Sequence, residues 1–301
     1  MSYKNEKIKM IELHENGLDI QFRIRENGVV ELADFSSQEV KKAVMEPKED
    51  ICYPAVEIHR SGTGSLNMHA YKNNINQSSV DFVYENHELK AQAGGKELEI
   101  VMISPEKLKA VYHMRLFDGV PAVQTWTEII NEGSEDQGLT YVSSFMYQGI
   151  SRGGEKPYYK KTDIYVPFNS WCCEAQWQKY DAETLNLNGM VVDGFNHQGY
   201  GLNRYCYSGK GTWSTCEYLP MGIAEDRETG ETYIFQIESS GTCPFRHPFR
   251  KVDGMSCGIY FHIGDNAVFL LTAVHVEQHL ECASCHTRFF VCKVITQRVR
   301  P

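Results

Sequence analysis

Apolar and polar residues alternate one by one along much of this chain. Leu18, Ile20, Phe22 and Ile24 fall on one side, while Asp19, Gln21, Arg23 and Arg25 fall on the other. A period of two is the repeat of a β-strand with one buried and one wet face. Asn27-Gly28 comes next, a pair suited to a type I′ hairpin turn that returns the chain through residues 29–32. The same grammar recurs downstream. Gly94-Gly95 separates residues 89–93 from 98–103, and residues 123–130 alternate with Trp126 and Glu128 on one face. Residues 139–146 alternate again, and Thr229-Gly230 precedes Tyr233, Phe235 and Ile237. Ile259, Phe261 and Ile263 form another strand ended by Gly264-Asp265, and residues 268–276 read as a core strand.

Helical periodicity is scarce. Residues 36–44 and 173–180 are the two short stretches that suit a helix. Nothing shows the strand–helix alternation of a parallel α/β fold. Many short strands with regular turn signals predict an all-β sandwich or barrel. Residues 152–161 and 186–211 read as long surface loops, and Trp126 as a core residue of its strand. No repeat or linker interrupts residues 1–301, so one large β domain is expected. A chain of 301 residues buries enough surface to fold without disulfides or metal.

Charge excludes some partners. Thirty basic residues against 39 acidic ones give a net charge of −9, with no dense Lys/Arg run. That speaks against a phosphate-backbone binder, so no nucleic-acid partner is expected. The longest apolar stretch, residues 267–274, is far short of the ~20 residues of a membrane span. The Lys-rich start has no apolar segment behind it, so a cytoplasmic protein is expected. Its ten cysteines are then reduced thiols, most of them buried as small hydrophobes.

Few constellations carry chemistry. Cys282-Ala-Ser-Cys285-His286 matches a haem-attachment pattern, and with Cys292 it offers a zinc set. A second Cys-x-x-Cys is absent, and reduced cysteines in a strand-rich tail are the expectation. There is no phosphate-binding glycine loop. Glu128, Glu174, Glu217 and Glu238 sit among apolar or aromatic residues, where burial would favour proton transfer. Trp126, Trp171, Trp177 and Trp213 join 17 tyrosines, and exposed aromatic faces stack on sugar rings. Trp171 and Trp177 flank Glu174 and are placed at a surface near a loop.

Four stretches, read together, resemble one family. They are Tyr53-Pro-Ala-Val-Glu-Ile-His-Arg-Ser-Gly62; Trp126-Thr-Glu-Ile-Ile-Asn-Glu-Gly133 with Tyr141-Val-Ser-Ser-Phe145; Asn169-Ser-Trp-Cys-Cys-Glu-Ala-Gln-Trp177; and Thr212-Trp-Ser-Thr-Cys-Glu-Tyr-Leu-Pro-Met-Gly222 with Phe235-Gln-Ile-Glu-Ser-Ser-Gly241. Their order and spacing are similar to the N-terminal domain of glycoside hydrolase family 36 α-galactosidases, over residues 8–276. The resemblance implies a large, galactose-mutarotase-like β-supersandwich of antiparallel strands. In the family a (β/α)8 barrel follows it and carries two catalytic aspartates, which hydrolyse terminal α-galactosides with retention.

The barrel's Lys-Trp-Asp is absent here. Lys179-Tyr180-Asp181 is only superficially similar, so no catalytic residue is expected in this chain. The resemblance implies no cofactor and no metal. It implies the barrel of the same enzyme as partner, a homo-oligomer, and galactosides as ligands. Trp171, Glu174, Trp177 and Trp213 are the candidates for sugar or subunit contact. Residues 242–249 replace the family's Trp-rich stretch, and residues 277–301 follow it poorly, ending near where the barrel would begin. A truncated or excised coding sequence is expected on that ground. Besides a relic domain with no function alone, whose uncovered face would favour self-association, two other readings stay open. One is a free-standing carbohydrate-binding protein. The other is a mutarotase-like enzyme recruiting His113, His262 or Glu238.

Overall fold

The computed structural model describes residues 9–40, 52–63, 77–185, 187, 204–208, 217–238, 256–264, 267–272, 278–280 and 286–298, the segments from 256 onward by their backbone course. The chain opens with β1 (Lys9–Glu15), β2 (Leu18–Ile24) and β3 (Val30–Ser37), then β4 (Ile58–Arg60) and one helical turn at Gln77–Val80. A long meander follows: β5 (Val83–Gln92), β6 (Gly95–Ile103), β7 (Leu108–Phe117), β8 (Val120–Asn131) and β9 (Gln137–Gln148). Next come β10 (Thr162–Ser170), β11 (Cys173–Asp181), β12 (Arg204–Ser208), β13 (Glu217–Tyr218), β14 (Met221–Asp226) and β15 (Glu231–Ile237). The last strands are β16 (Ser256–Gly264), β17 (Ala267–Thr272), β18 (Gln278–Leu280) and β19 (His286–Arg298).

These strands form three sheets. β1-β2-β3 is one, and β11-β10-β14-β15-β19-β8-β7-β6-β5 is the largest, with β13 added on β10. The third runs β12-β17-β16-β9-β18, with β4 added on β9. Pairing is antiparallel except between β12 and β17 and between β9 and β16. The all-β sandwich read from alternation is the observed fold. Among the described residues, no helix is long and apolar enough to cross a membrane.

Alternation translates directly into burial. Along β7, Leu108, Ala110, Tyr112, Met114 and Leu116 are buried in the core, and along β8 Val123 and Ile129 are. The three sheets converge on an aromatic hub. Phe35 of β3 packs edge-on against Phe145 and Tyr147 of β9, at 5.4 and 6.0 Å between ring centres. Tyr147 in turn lies 5.9 Å from Tyr233 of β15.

Buried hydrogen bonds tie the same seam. Ser37 N–H donates to Glu231 Oε1 (2.9 Å), and the Tyr233 hydroxyl lies 2.8 Å from Glu231 Oε2 and 3.0 Å from the Phe35 carbonyl. Asp34 accepts from Ser36 Oγ (2.9 Å), from the Tyr147 hydroxyl (3.4 Å) and from Arg152. Burial holds the Tyr147 and Tyr233 phenols above their ordinary range, so both remain protonated donors.

The structure corrects several local expectations. Cys173–Asp181 is a strand, not a helix, because a two-residue loop at Trp171-Cys172 folds it back onto β10 from Ser170↔Cys173 onward. Ladder pairing outweighs the weak helical spacing there. The helix expected over 36–44 is also replaced within its described part. Ser36 and Ser37 end β3, and a turn follows in which Val40 N–H donates to the Ser37 carbonyl (2.9 Å).

The turn at Asn27-Gly28 is real, but of another type. Only Gly28 has positive φ (+85°), whereas type I′ needs it at both positions. The Asn27 side chain instead accepts the Val29 N–H at 3.1 Å, a local Asx turn. At the β5–β6 hairpin the glycine requirement is steric, since a Cβ on Gly95 would lie 1.9 Å from the Leu116 carbonyl oxygen.

Within the expected 186–211 loop, Arg204–Ser208 is strand β12. The 152–161 segment is a loop as expected except for a 3-10 turn at Tyr158–Lys160, and it is pinned at one end by Arg152 and at the other by Lys161. Lys161 is fully buried, with its ammonium 2.9 Å from Asp226 Oδ2 and 3.3 Å from Glu228 Oε2. β19 lies inside the largest sheet, between β15 and β8. Of the cysteines whose side chains are described, Cys172, Cys173 and Cys206 are exposed and Cys52 is half-buried, against the expectation of buried thiols. All four are unpaired.

Candidate functional site

The four stretches that carried the resemblance meet in two pairs. β4, from the first stretch, pairs with β9 through Ile58↔Val142 and His59↔Tyr141. The third and fourth meet where β13 pairs with β10, through Phe168↔Tyr218 and Asn169↔Glu217. The second of these junctions lies beside the tip of the β10–β11 hairpin, which carries Trp171, Glu174 and Trp177.

Local rules explain the hairpin tip. Between Phe168↔Gln176 and Ser170↔Cys173, one β10 residue, Asn169, opposes two on β11, Glu174 and Ala175. That is a β-bulge, and it re-aims the strand beyond it. Asn169 is buried, and its Oδ1 accepts the Ala175 N–H at 2.9 Å. Cys172 N–H donates to Glu174 Oε1 at 3.2 Å. Cys172, Ala175 and Glu217 have φ of 61°, 54° and 61°, three of the five non-glycine residues with positive φ among those described. Backbone strain of this kind concentrates where a protein holds groups in position for a task.

The hairpin presents its aromatic side chains to solvent. Trp171 is 81% exposed and Trp177 37%, and Glu174 is exposed between them. Beneath the tip runs an aromatic ladder. Phe168 lies 5.2 Å from Tyr218, Tyr218 is 5.1 Å from Tyr207, and Tyr207 is 6.1 Å from Tyr205. Burial, aided by Tyr218 and Tyr180, pushes the Tyr205 phenol up to about 12. The Tyr207 hydroxyl donates to the Met221 carbonyl at 2.5 Å. Two exposed indoles with carboxylates beside them, on a rigid base, suit a ligand with apolar ring faces and many hydroxyls.

The other sequence candidates are scattered. Trp213 lies outside the described residues, as do Cys282 and Cys285, so the haem and zinc patterns fall outside them too. Glu174, Glu217 and Glu238 are exposed, and Glu128 is half-buried, so the burial expected to prepare them for proton transfer is missing at three of the four. Glu238 accepts from Gln124 Nε2 at 2.8 Å. Trp126 is not core. Its neighbours Thr125 and Thr127 face inward, and Trp126 lies half-buried on the opposite face of β8, stacked on His113 at 4.6 Å and 5°. The hydrogen bonds and ion pairs of His113 go to Glu97, Glu99 and Glu128, not to Glu238. The His262 side chain is outside the described part of β16. Lys179 and Asp181 belong to β11, where the Lys179 ammonium pairs with Asp163 at 2.6 Å.

No protein-family model and no curated protein sequence matches the chain. Solved structures do. The α-galactosidase from Lactobacillus brevis superposes with a TM-score of 0.54 at 10% identity, covering 99% of this chain and 40% of that one. The family 36 α-galactosidase AgaB from Geobacillus stearothermophilus gives 0.55 at 10% identity, covering 99% and 41%. The galactosidase domain of the α-galactosidase–sucrose kinase AgaSK gives 0.54 at 11% identity, covering 96% and 41%. At these identities the likeness is one of fold. The chain spans about 40% of the length of these structures.

Proposed function

We propose that residues 1–301 form the non-catalytic N-terminal β-sandwich domain of a family 36 α-galactosidase, an enzyme acting on terminal α-galactosides in the cytoplasm. The observation that carries this reading is the superposition of nearly the whole chain on about two fifths of α-galactosidase chains. The pairing of the four family-like stretches in the fold supports it. Catalysis in the full-length enzyme then belongs to a (β/α)8 barrel with two aspartates, and this domain packs on that barrel within a homo-oligomer. The Trp171–Trp177 hairpin shapes the rim over the galactoside or meets a neighbouring subunit.

Titration of the purified chain with galactose, melibiose and raffinose tests the sugar-facing role. Stacking on one indole contributes about 0.5–1.5 kcal/mol. Trp171→Ala and Trp177→Ala should therefore each weaken a millimolar affinity roughly 2- to 12-fold. Trp171 is 81% exposed, so its loss should leave the melting temperature unchanged. Absence of heat at millimolar sugar, or variants that bind like wild type, would remove the sugar-facing role.

A further inference from the structure

The outer face of the largest sheet carries a second constellation, remote in sequence from the hairpin. Glu97 and Glu99 alternate with the core residue Leu98 on β6, so both point outward. His113 of β7 lies directly opposite Glu99, and Trp126 of β8 directly opposite His113. His113 Nδ1 is 2.9 Å from Glu97 Oε1 and 3.8 Å from Glu99 Oε1. One donor atom from each of the three residues lies within 4.8 Å of the others. We infer that Glu97, Glu99 and His113 bind a divalent transition-metal ion of the zinc class, pinning β6 to β7.

The groups around these three are arranged as the outer shell of such a site. Gln92 Nε2 donates to Glu97 Oε2 at 2.9 Å, and Lys90 Nζ holds Glu99 Oε2 at 2.5 Å. Each carboxylate thus has its second oxygen occupied and its first turned toward His113. The Trp126 indole, stacked parallel to the imidazole, fixes the ring plane. On the far side, His113 Nε2 is buried without a hydrogen bond and faces Glu128 Oε2 at 3.8 Å. A metal on Nδ1 places the ring proton on Nε2, directed at that carboxylate. This is the carboxylate–histidine–metal relay that orients imidazole ligands.

Distances agree with the ion. Metal–ligand bonds near 2.0–2.1 Å in tetrahedral geometry put donor atoms about 3.3 Å apart, and the separations of 2.9 and 3.8 Å bracket that value. Imidazole with carboxylates suits zinc and its neighbours better than magnesium or calcium, which prefer all-oxygen sets. The sequence hides the site because its ligands come from two strands whose register is invisible in the chain.

Equilibrium dialysis of the full chain against zinc chloride, with bound metal counted, is the test. The cysteines contribute equally to wild type and variants, so the difference reads this site. Wild type should bind one equivalent more than His113→Gln. Glu99→Gln, at a half-exposed position, should weaken that equivalent at least tenfold, and Glu128→Gln roughly 10- to 100-fold through the outer shell. Zinc should also change the tryptophan fluorescence of wild type but not of Trp126→Phe, which keeps the metal. Equal zinc content in wild type, His113→Gln and Glu99→Gln would overturn the assignment.

Discussion

Replacing Lys161 with methionine should lower the stability of this chain by about 3–5 kcal/mol. The methionine stem fills the same space but carries no charge. Asp226 is fully buried, and the Lys161 ammonium is its ion-pair partner at 2.9 Å. Removing one partner of a buried pair leaves the other as an uncompensated charge in a medium of low polarity. Asp226 keeps the N–H donors of Glu228 (2.9 Å) and Thr229 (3.1 Å), which places the loss toward the lower end. The adjacent residue is the control. Lys160 pairs with Glu183 at 2.7 Å, but both side chains are well exposed. Lys160→Met should therefore leave stability nearly unchanged. Urea unfolding followed by tryptophan fluorescence reads both, with the midpoint moving at constant slope. Equal effects at 160 and 161 would show that the buried pair is not what holds the 152–161 loop.

Asp34→Ala should be comparably severe, again about 3–5 kcal/mol. This side chain joins the small sheet to its neighbours, because it accepts from Tyr147 of β9 and from Arg152 as well as from Ser36. Its loss leaves a guanidinium and two hydroxyls without their acceptor beside the aromatic hub. The spectroscopic consequence is specific. Near-ultraviolet dichroism from Phe35, Phe145, Tyr147 and Tyr233 should weaken before far-ultraviolet strand signal does. Undiminished near-ultraviolet signal in a destabilised Asp34→Ala chain would mean that the hub is held by packing alone.

The strands were legible in the chain because their cause is local. In β2 and β8 a period of two separates two faces, and no distant residue is needed to see it. The helix expected at 173–180 failed for the opposite reason. Its fate was decided by the tight loop at Trp171-Cys172 and by pairing with β10, which the spacing of Trp177 and Tyr180 does not encode. β19 shows the same limit. Its neighbours β8 and β15 are distant in sequence, so the strand-rich character of the tail was legible but its place in the sheet was not.

The candidate site was legible in part. Trp171, Glu174 and Trp177 lie close in sequence, and the structure keeps them on one exposed hairpin. Asn169, which holds the tip by accepting the Ala175 N–H, was quoted only as part of a motif. Its role depends on a bulge that becomes visible once β10 and β11 are paired. Glu97, Glu99 and His113 were missed as a group because Glu99 and His113 become neighbours only through cross-strand register. Trp126 was misplaced because strand periodicity identifies two faces but not which of them is covered.

Turnover of an aryl α-galactoside by the purified chain tests the central claim most directly. A non-catalytic sandwich domain should release no aryl alcohol above the buffer rate, since the two carboxylates of the retaining reaction belong to the barrel. Turnover above that rate, abolished by replacing a single carboxylate of this chain, would contradict the account and make the sandwich itself the enzyme.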